Sequence, residues 1–355
     1  MGERILHPKR GPHQPHAGTP DRRPASVRRT TSQVARRPEG VLGPVHVLSA
    51  GRDLWTSAAG ATRMIAEASV EAEFSLIEGS VLRSLTVTPG DDRFAGLVGR
   101  SVSSGFRRSL ADLAGADDQH DEDRDGEDRD AEDRARSLRY QLLDDFGTVG
   151  LLAGFPIAAA GIHPPKGQFH VRDKADVCAG WATGATILVE GEELGYPPEV
   201  TGPPAPAVLS ADPDGWHPIA GAGPHSMRRL RRIDVWPAAA EESLEVEAFF
   251  RDSHIDAEGD EWVVHEYLVR AMIDRRTGVF RSIHAEIGVL PWVECPGAVA
   301  SAGRLAGTHP ADLRDRVRRE FVGPSTCTHL NDTMRSLAAL PFLARQVEAG
   351  ATLQP

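Results

Sequence analysis

Apolar positions along the chain follow two different rhythms. In "LEVEAFFRD", "EWVVHEYLVRAMID" and "VFRSIHAEIGVL" they alternate or run as β-branched stretches long enough for paired strands, and "DRRTG" between the last two has the form of a hairpin turn in which Gly278 takes positive φ. Earlier, "VLGPVHVLSAGRDLW" and "EASVEAEFSLIEGSVLRSLTVTP" carry the same strand pattern, stopped by "PGDD" at 89–92. The period then changes. Ala298, Ala302 and Leu305, next Leu313, Val317 and Phe321, then Leu330, Met334 and Leu337 recur at helical spacing, with stops near Gly307 and Pro341. Leu138, Leu142, Leu143, Phe146 and Val149 mark one more buried helical face. Strands followed by helices predict an α+β protein, an antiparallel sheet with helices packed on one face. "SVRRT" at 26–30 returns as "SMRRL" at 226–230, and "SVEAEF" at 69–74 as "EVEAFF" at 245–250, so two related halves sharing a sheet are an open alternative.

Five regions follow from these patterns. Residues 1–40, rich in Arg, Pro, His and Gly, read as a disordered basic arm, and 41–116 as an N-terminal strand-rich part. Residues 117–136 contain "DDQHDEDRDGEDRDAEDR", a self-repelling acidic run expected to be a disordered insertion; its Gly126 does not set the spacing of a calcium-binding loop. A central helix and a Pro/Gly-rich loop region occupy 137–224, and a C-terminal unit of sheet plus helices occupies 225–348.

Composition narrows the function. At 355 residues with 40% apolar content the chain builds a substantial core, and a formal net charge of -11 excludes a general nucleic-acid binder. Three cysteines in so long a chain are no disulfide framework; an odd count suits a reducing compartment, and the cytoplasm is expected. The apolar run at 149–162 is shorter than the roughly 20 residues a bilayer span needs and contains Pro156, so no membrane association is expected. No phosphate-cradling Gly-Lys loop, nucleophile elbow or dinucleotide fingerprint is present. A small molecule or a protein is left as the partner class, and the oligomeric state is open.

The candidate chemistry gathers at "STCTHLND", residues 325–332. Helices packed on one sheet face bring their N-terminal ends to a common edge, where backbone N–H groups favour a thiolate. Cys295, Cys327 and His329 would then form a metal site for zinc or iron, with His265, His284, an acid or water as fourth ligand. The alternative is a small-molecule hydrolase or thiol-dependent enzyme using the same residues, with Cys327 or Cys295 as nucleophile, His329 or His265 as base, and Glu266 or Asp332 orienting the ring. Plain packing of buried thiols is the third reading. Alternation along "VVHEY" puts His265 and Glu266 on opposite strand faces. Cys178 and Trp181, beside Gly180 and Gly184, read as core packing. As a strand, "MRRLRRIDVW" would splay its four arginines to alternate faces.

"SMRRLRRIDVW", "HEYLVRAMID", "LPWVECPGAVASAGRLAG" and "CTHLNDTMRSLA", in this order, resemble the bacterial family domain of unknown function 2889 over residues 225–345. "RRPASVRRTTS" and "DVCAGW" look like its long form from high-GC bacteria. That family implies a Cys-Pro and Cys-Thr-His-Leu signature and no mechanism. More distantly, strand, turn, strand, the Cys295 segment with its Ala/Ser-rich helix, and a late Cys327 are similar in layout to iron-sulfur scaffold proteins of the NifU N-terminal type. The likeness implies Cys295 and Cys327 as ligands; the early Cys-Gly-Asp motif of those scaffolds is missing, and His329 is the substitute it suggests.

Overall fold

The computed structural model describes residues 10–103, 105–115, 137–165, 170–208, 212–239 and 242–352. The acidic run lies outside them. Eight strands form one antiparallel sheet in the order β4-β3-β2-β1-β5-β6-β7-β8: β1 Ser26–Arg36, β2 Val45–Thr56, β3 Thr62–Ser75, β4 Val81–Thr88, β5 Ser226–Pro237, β6 Ser243–Ile255, β7 Glu261–Asp274 and β8 Phe280–Val289. Two meanders of consecutive strands therefore meet at the β1–β5 pair. The helices are α1 Phe106–Gly115, α2 over 137–144 resuming as Phe146–Leu152, α3 Phe155–Ala159, α4 Thr186–Leu194, α5 Leu313–Glu320, α6 Thr328–Ser336 and α7 Leu340–Thr352. Cys295–Leu305, with helical apolar spacing, is a 3-10 segment; Pro296 and Gly297 occupy its first turn.

The strand registers show that the two halves are related. Arg29 pairs with Asp53 and Asp53 with Ala66 in the first half; Arg229 pairs with Asp252 and Asp252 with His265 in the second. The next row repeats this with Thr31, Gly51 and Ala68 against Arg231, Phe250 and Tyr267. Even the irregularities correspond: a register shift at Asp53/Leu54 matches one at Asp252/Ser253, and another at Glu73/Phe74 matches Met272/Ile273. Thr31 faces Arg231 across the β1–β5 junction, where a pseudo-two-fold axis passes. "SVRRT" and "SMRRL" are thus true counterparts. "SVEAEF" and "EVEAFF" are not, since they lie on β3 and β6.

Helices cover one face. The main core joins Ile233, Phe250, Tyr267 and Val269 to Leu330, Met334 and Leu343; a second core packs Leu138, Leu142 and Phe146 of α2 onto Val45, Val70 and Phe74. Ser137–Ala159 as one run is long and apolar enough to cross a bilayer, more than 149–162 alone suggests, but 65% of its most apolar window is buried in the protein, as for a core helix. The other face is covered by irregular chain: Val208 and Trp216 pack on Leu230, Phe249 and Leu268, and the His16 N–H reaches Glu266. The Pro/Gly-rich loop is therefore a covering layer.

The expected disordered arm over 1–40 is corrected from residue 10 onward; residues 1–9 lie outside the described residues. Ser26–Arg36 is a central strand with every residue from Ser26 to Ala35 buried. Its basic residues are tolerated inside because each finds a carboxylate: Arg28 Nε donates to Asp234 at 2.6 Å, and Arg29 Nε and Nη2 donate to both oxygens of Asp53 at 2.6 Å each. Residues 10–25 also pack, through Gln14 N–H to Gly288 O at 2.8 Å and Arg22 to Asp212 at 2.6 Å.

Candidate functional site

β7 organises the site. Its alternation directs His265 and Tyr267 to the helix-covered face, while Glu266 points to the other, held by Arg251 at 2.6 Å and by His16 Nδ1 at 2.7 Å. Cys327 is the N-cap of α6, in extended conformation, so its sulfur returns toward the sheet and faces the Tyr267 hydroxyl. The N–H groups of His329 and Leu330 also face this sulfur without closing a cap hydrogen bond. Cys295 arrives from the end of β8. The backbone of Gly180 approaches it so closely that a Cβ there would stand 2.6 Å from the Cys295 sulfur. Cys178 comes from the central region, tied to the others by the Ala179 N–H donating to Thr326 O at 2.8 Å. Its sulfur faces the N–H groups of Trp181, Gly180 and Thr328. All three cysteines of the chain thus lie in the neighbourhood of Tyr267, with Cys327 facing its hydroxyl.

These thiols are protonated at neutral pH. Burial, and then the neighbouring Cys327, push Cys178 up to about 11; burial raises Cys295 and Cys327 as well. Tyr267 is fully buried, and its hydroxyl has no hydrogen-bond partner of ordinary geometry.

The imidazoles form a separate group beside the thiols. His265 and His329 stack with ring centroids 3.6 Å apart, and His329 Nε2 lies 3.7 Å from Asp252. His265 Nδ1 and His329 Nε2 are buried without hydrogen-bond partners. Burial first and Arg229 second lower the His329 pKa to about 3; burial, then His329, hold His265 well below its usual value. Both rings are neutral at pH 7. Cys327 and His329 therefore do not form a nucleophile–base pair: no hydrogen bond joins either imidazole to a sulfur among the described residues, and the thiol has no base to take its proton. His284 lies on the exposed side of β8, 3.7 Å from Glu286.

The structure does not bring Cys295, Cys327 and His329 together as one coordination set. Cys327 and His329 lie two positions apart, and at a helix start this turns the ring toward β6 and β7 while the cap sulfur faces Tyr267. Among the described residues no group of three His, Cys, Asp or Glu side chains stands close enough to hold a metal ion.

Next to the histidines lies a buried ionic network joining the halves. Arg229 donates to both oxygens of Asp252 at 2.8 Å, to Asp145 at 3.0 Å and to Asp332 at 3.2 Å; Arg231 reaches Asp145 at 2.8 Å. Arg107 reaches Asp332 and Arg335 reaches Asp144, each at 2.6 Å. Four arginines face four aspartates, Arg107, Asp144 and Asp145 coming from the first half. Burial disfavours the Asp332 charge, but Arg107, Arg229 and Arg231 outweigh it and hold the carboxyl below its usual range. Arg229 and Arg231 also lie over the Phe250 ring at 4.9 and 4.7 Å.

Sequence reasoning missed Tyr267, Cys178 as a member, and the network. Alternation in "HEY" could have found Tyr267 on the His265 face, and alternate arginines in "RRLRR" the basic side of the network.

Fold and site together define an α+β protein of two fused, related sheet halves, with a buried thiol and imidazole site on the second. Residues 227–342 match the family described as Protein of unknown function (DUF2889). No curated protein and no solved structure matches the chain.

Proposed function

We propose that the protein is an accessory or scaffold protein that takes up a soft metal ion, zinc or iron, at Cys178, Cys295 and Cys327, and that it works in the cytoplasm. One observation carries the reading: three separated segments bring every cysteine of the chain into one buried neighbourhood, Cys327 against the Tyr267 hydroxyl and Cys295 against Gly180, two positions from Cys178. Thiolate donors suit these metals, and backbone N–H groups facing two of the sulfurs favour the charged form. The likeness in layout to iron-sulfur scaffolds supports it, with Cys178 as the third thiol which that layout otherwise lacks. The three sulfurs stand too far apart in the structure to share an ion; loading would draw them together and release the thiol protons, so affinity rises with pH.

The test is metal analysis of anaerobically purified protein and titration with cobalt(II), read by thiolate charge-transfer absorption, on the wild type and on Cys178→Ser, Cys295→Ser and Cys327→Ser. Loading lost in all three variants supports the proposal. Wild-type protein that stays metal-free and shows no such absorption sinks it. Fast alkylation of one thiol at neutral pH would instead support the thiol-dependent enzyme.

A further inference from the structure

On the outer side of α6 a cavity of about 460 Å3 opens between α1, α2 and α5, a size suited to a small molecule. Arg107, Arg108, Arg314, Arg318 and Arg335 line it, against Asp112, Asp315 and Asp332. Most of these charges are committed. Arg107 holds Asp332, Arg335 holds Asp144 behind the wall, and Arg318 pairs with Asp315. Arg314 is different. Its guanidinium stands 4.1 Å over the ring of Tyr140, another lining residue, and its side chain has neither ion-pair nor hydrogen-bond partner among the described residues. Burial lowers its pKa and Asp144 offsets this only in part, so the cation is under-neutralised. Arg108, exposed at the rim, likewise has no partner among the described residues.

Stacking occupies one flat face of a guanidinium and leaves its in-plane N–H fork free, the geometry that binds a phosphate or carboxylate group by two hydrogen bonds. We propose that this cavity binds a small ligand carrying a phosphate or carboxylate group, gripped by Arg314 with Tyr140 as its backing and Arg108 at the entrance. The assignment is independent of whether the thiols take a metal.

Calorimetric titration of the full chain with pyrophosphate and, separately, citrate, at constant ionic strength set by sodium chloride, tests it. Saturable binding of at least one probe is expected. Binding of pyrophosphate alone or citrate alone supports the site and identifies the group it prefers. Arg314→Gln should weaken binding at least tenfold, and Arg314→Lys, which keeps the charge without the fork, by less. Should Arg314→Gln not fold, Arg108→Gln at the rim carries the same test with a smaller loss. The proposal is overturned if neither probe binds saturably, or if binding is unchanged in the variants that fold.

Discussion

Removing the Tyr267 hydroxyl should make the metal-free protein more stable. Tyr267→Phe conserves ring and volume at a position with no exposed surface and deletes one O–H that has no ordinary hydrogen-bond partner. A buried polar group left unsatisfied costs about 1–3 kcal/mol. The Cys327 sulfur facing the hydroxyl is a weak acceptor and returns some of that cost. The expected gain is about 1 kcal/mol. In urea unfolding, with a slope of about 3 kcal/mol per molar, the midpoint would rise by a few tenths molar at unchanged slope. Cobalt loading should weaken in the same variant, since the lost group faces the sulfur cluster. A variant destabilised by about 1 kcal/mol or more would refute the reasoning, because the hydroxyl would then be a structural donor to sulfur.

Three further outcomes follow. The buried neutral histidines gain no proton in the folded state until pH falls toward about 3 for His329, whereas the unfolded chain takes one near 6.5; stability is therefore present above that pH and lost as pH falls. Urea titrations at pH 7 and pH 5 should differ by about 2 kcal/mol more in the wild type than in His329→Gln. Asp53→Ala should cost about 3–5 kcal/mol in the same assay by leaving Arg29 with only Ser137, and Asp252→Ala less, because Arg229 keeps Asp145 and Asp332; equal losses would contradict this. Gly180→Ala puts a methyl 2.6 Å from the Cys295 sulfur, so it should cost about 1–3 kcal/mol in thermal unfolding and impair cobalt loading, and an inert variant would show that the two segments are not held together.

Sequence pattern revealed the elements that have one wet or one greasy side. β2, β3 and β6 to β8 alternate, and the apolar faces of α2, α5 and α6 recur at helical spacing. β1 was invisible because both of its faces are buried and both carry polar residues: Arg28, Arg29, Thr30, Thr31, Ser32 and Gln33 mimic a solvated arm while every one of them is inside. Pattern carries no information on long-range ion pairing, and that pairing is what permits the burial. The same blindness hid Cys178. "CAGW" reads as packing locally, and only the meeting of its loop with Thr326 and Gly180 with Cys295 brings the third thiol in.

The registers explain why the thiols and stacked imidazoles gather on the second half. Where β6 and β7 present Phe250, His265 and Tyr267, the corresponding positions on β2 and β3 hold Gly51, Ala66 and Ala68. These small residues let α2 lie directly on the sheet: a Cβ on Gly51 would come within 3.0 Å of Leu138. The first half spends that space on packing. In the second half, the larger side chains fill it and leave polar atoms of Tyr267 and His265 without partners, a cost that packing alone does not reward. The paired rows Arg29–Asp53 and Arg229–Asp252 are retained in both halves, so they belong to the shared scaffold. The residues that differ between matching rows are therefore the ones that distinguish a site from a support, and they are the ones facing the thiols and the stacked imidazoles.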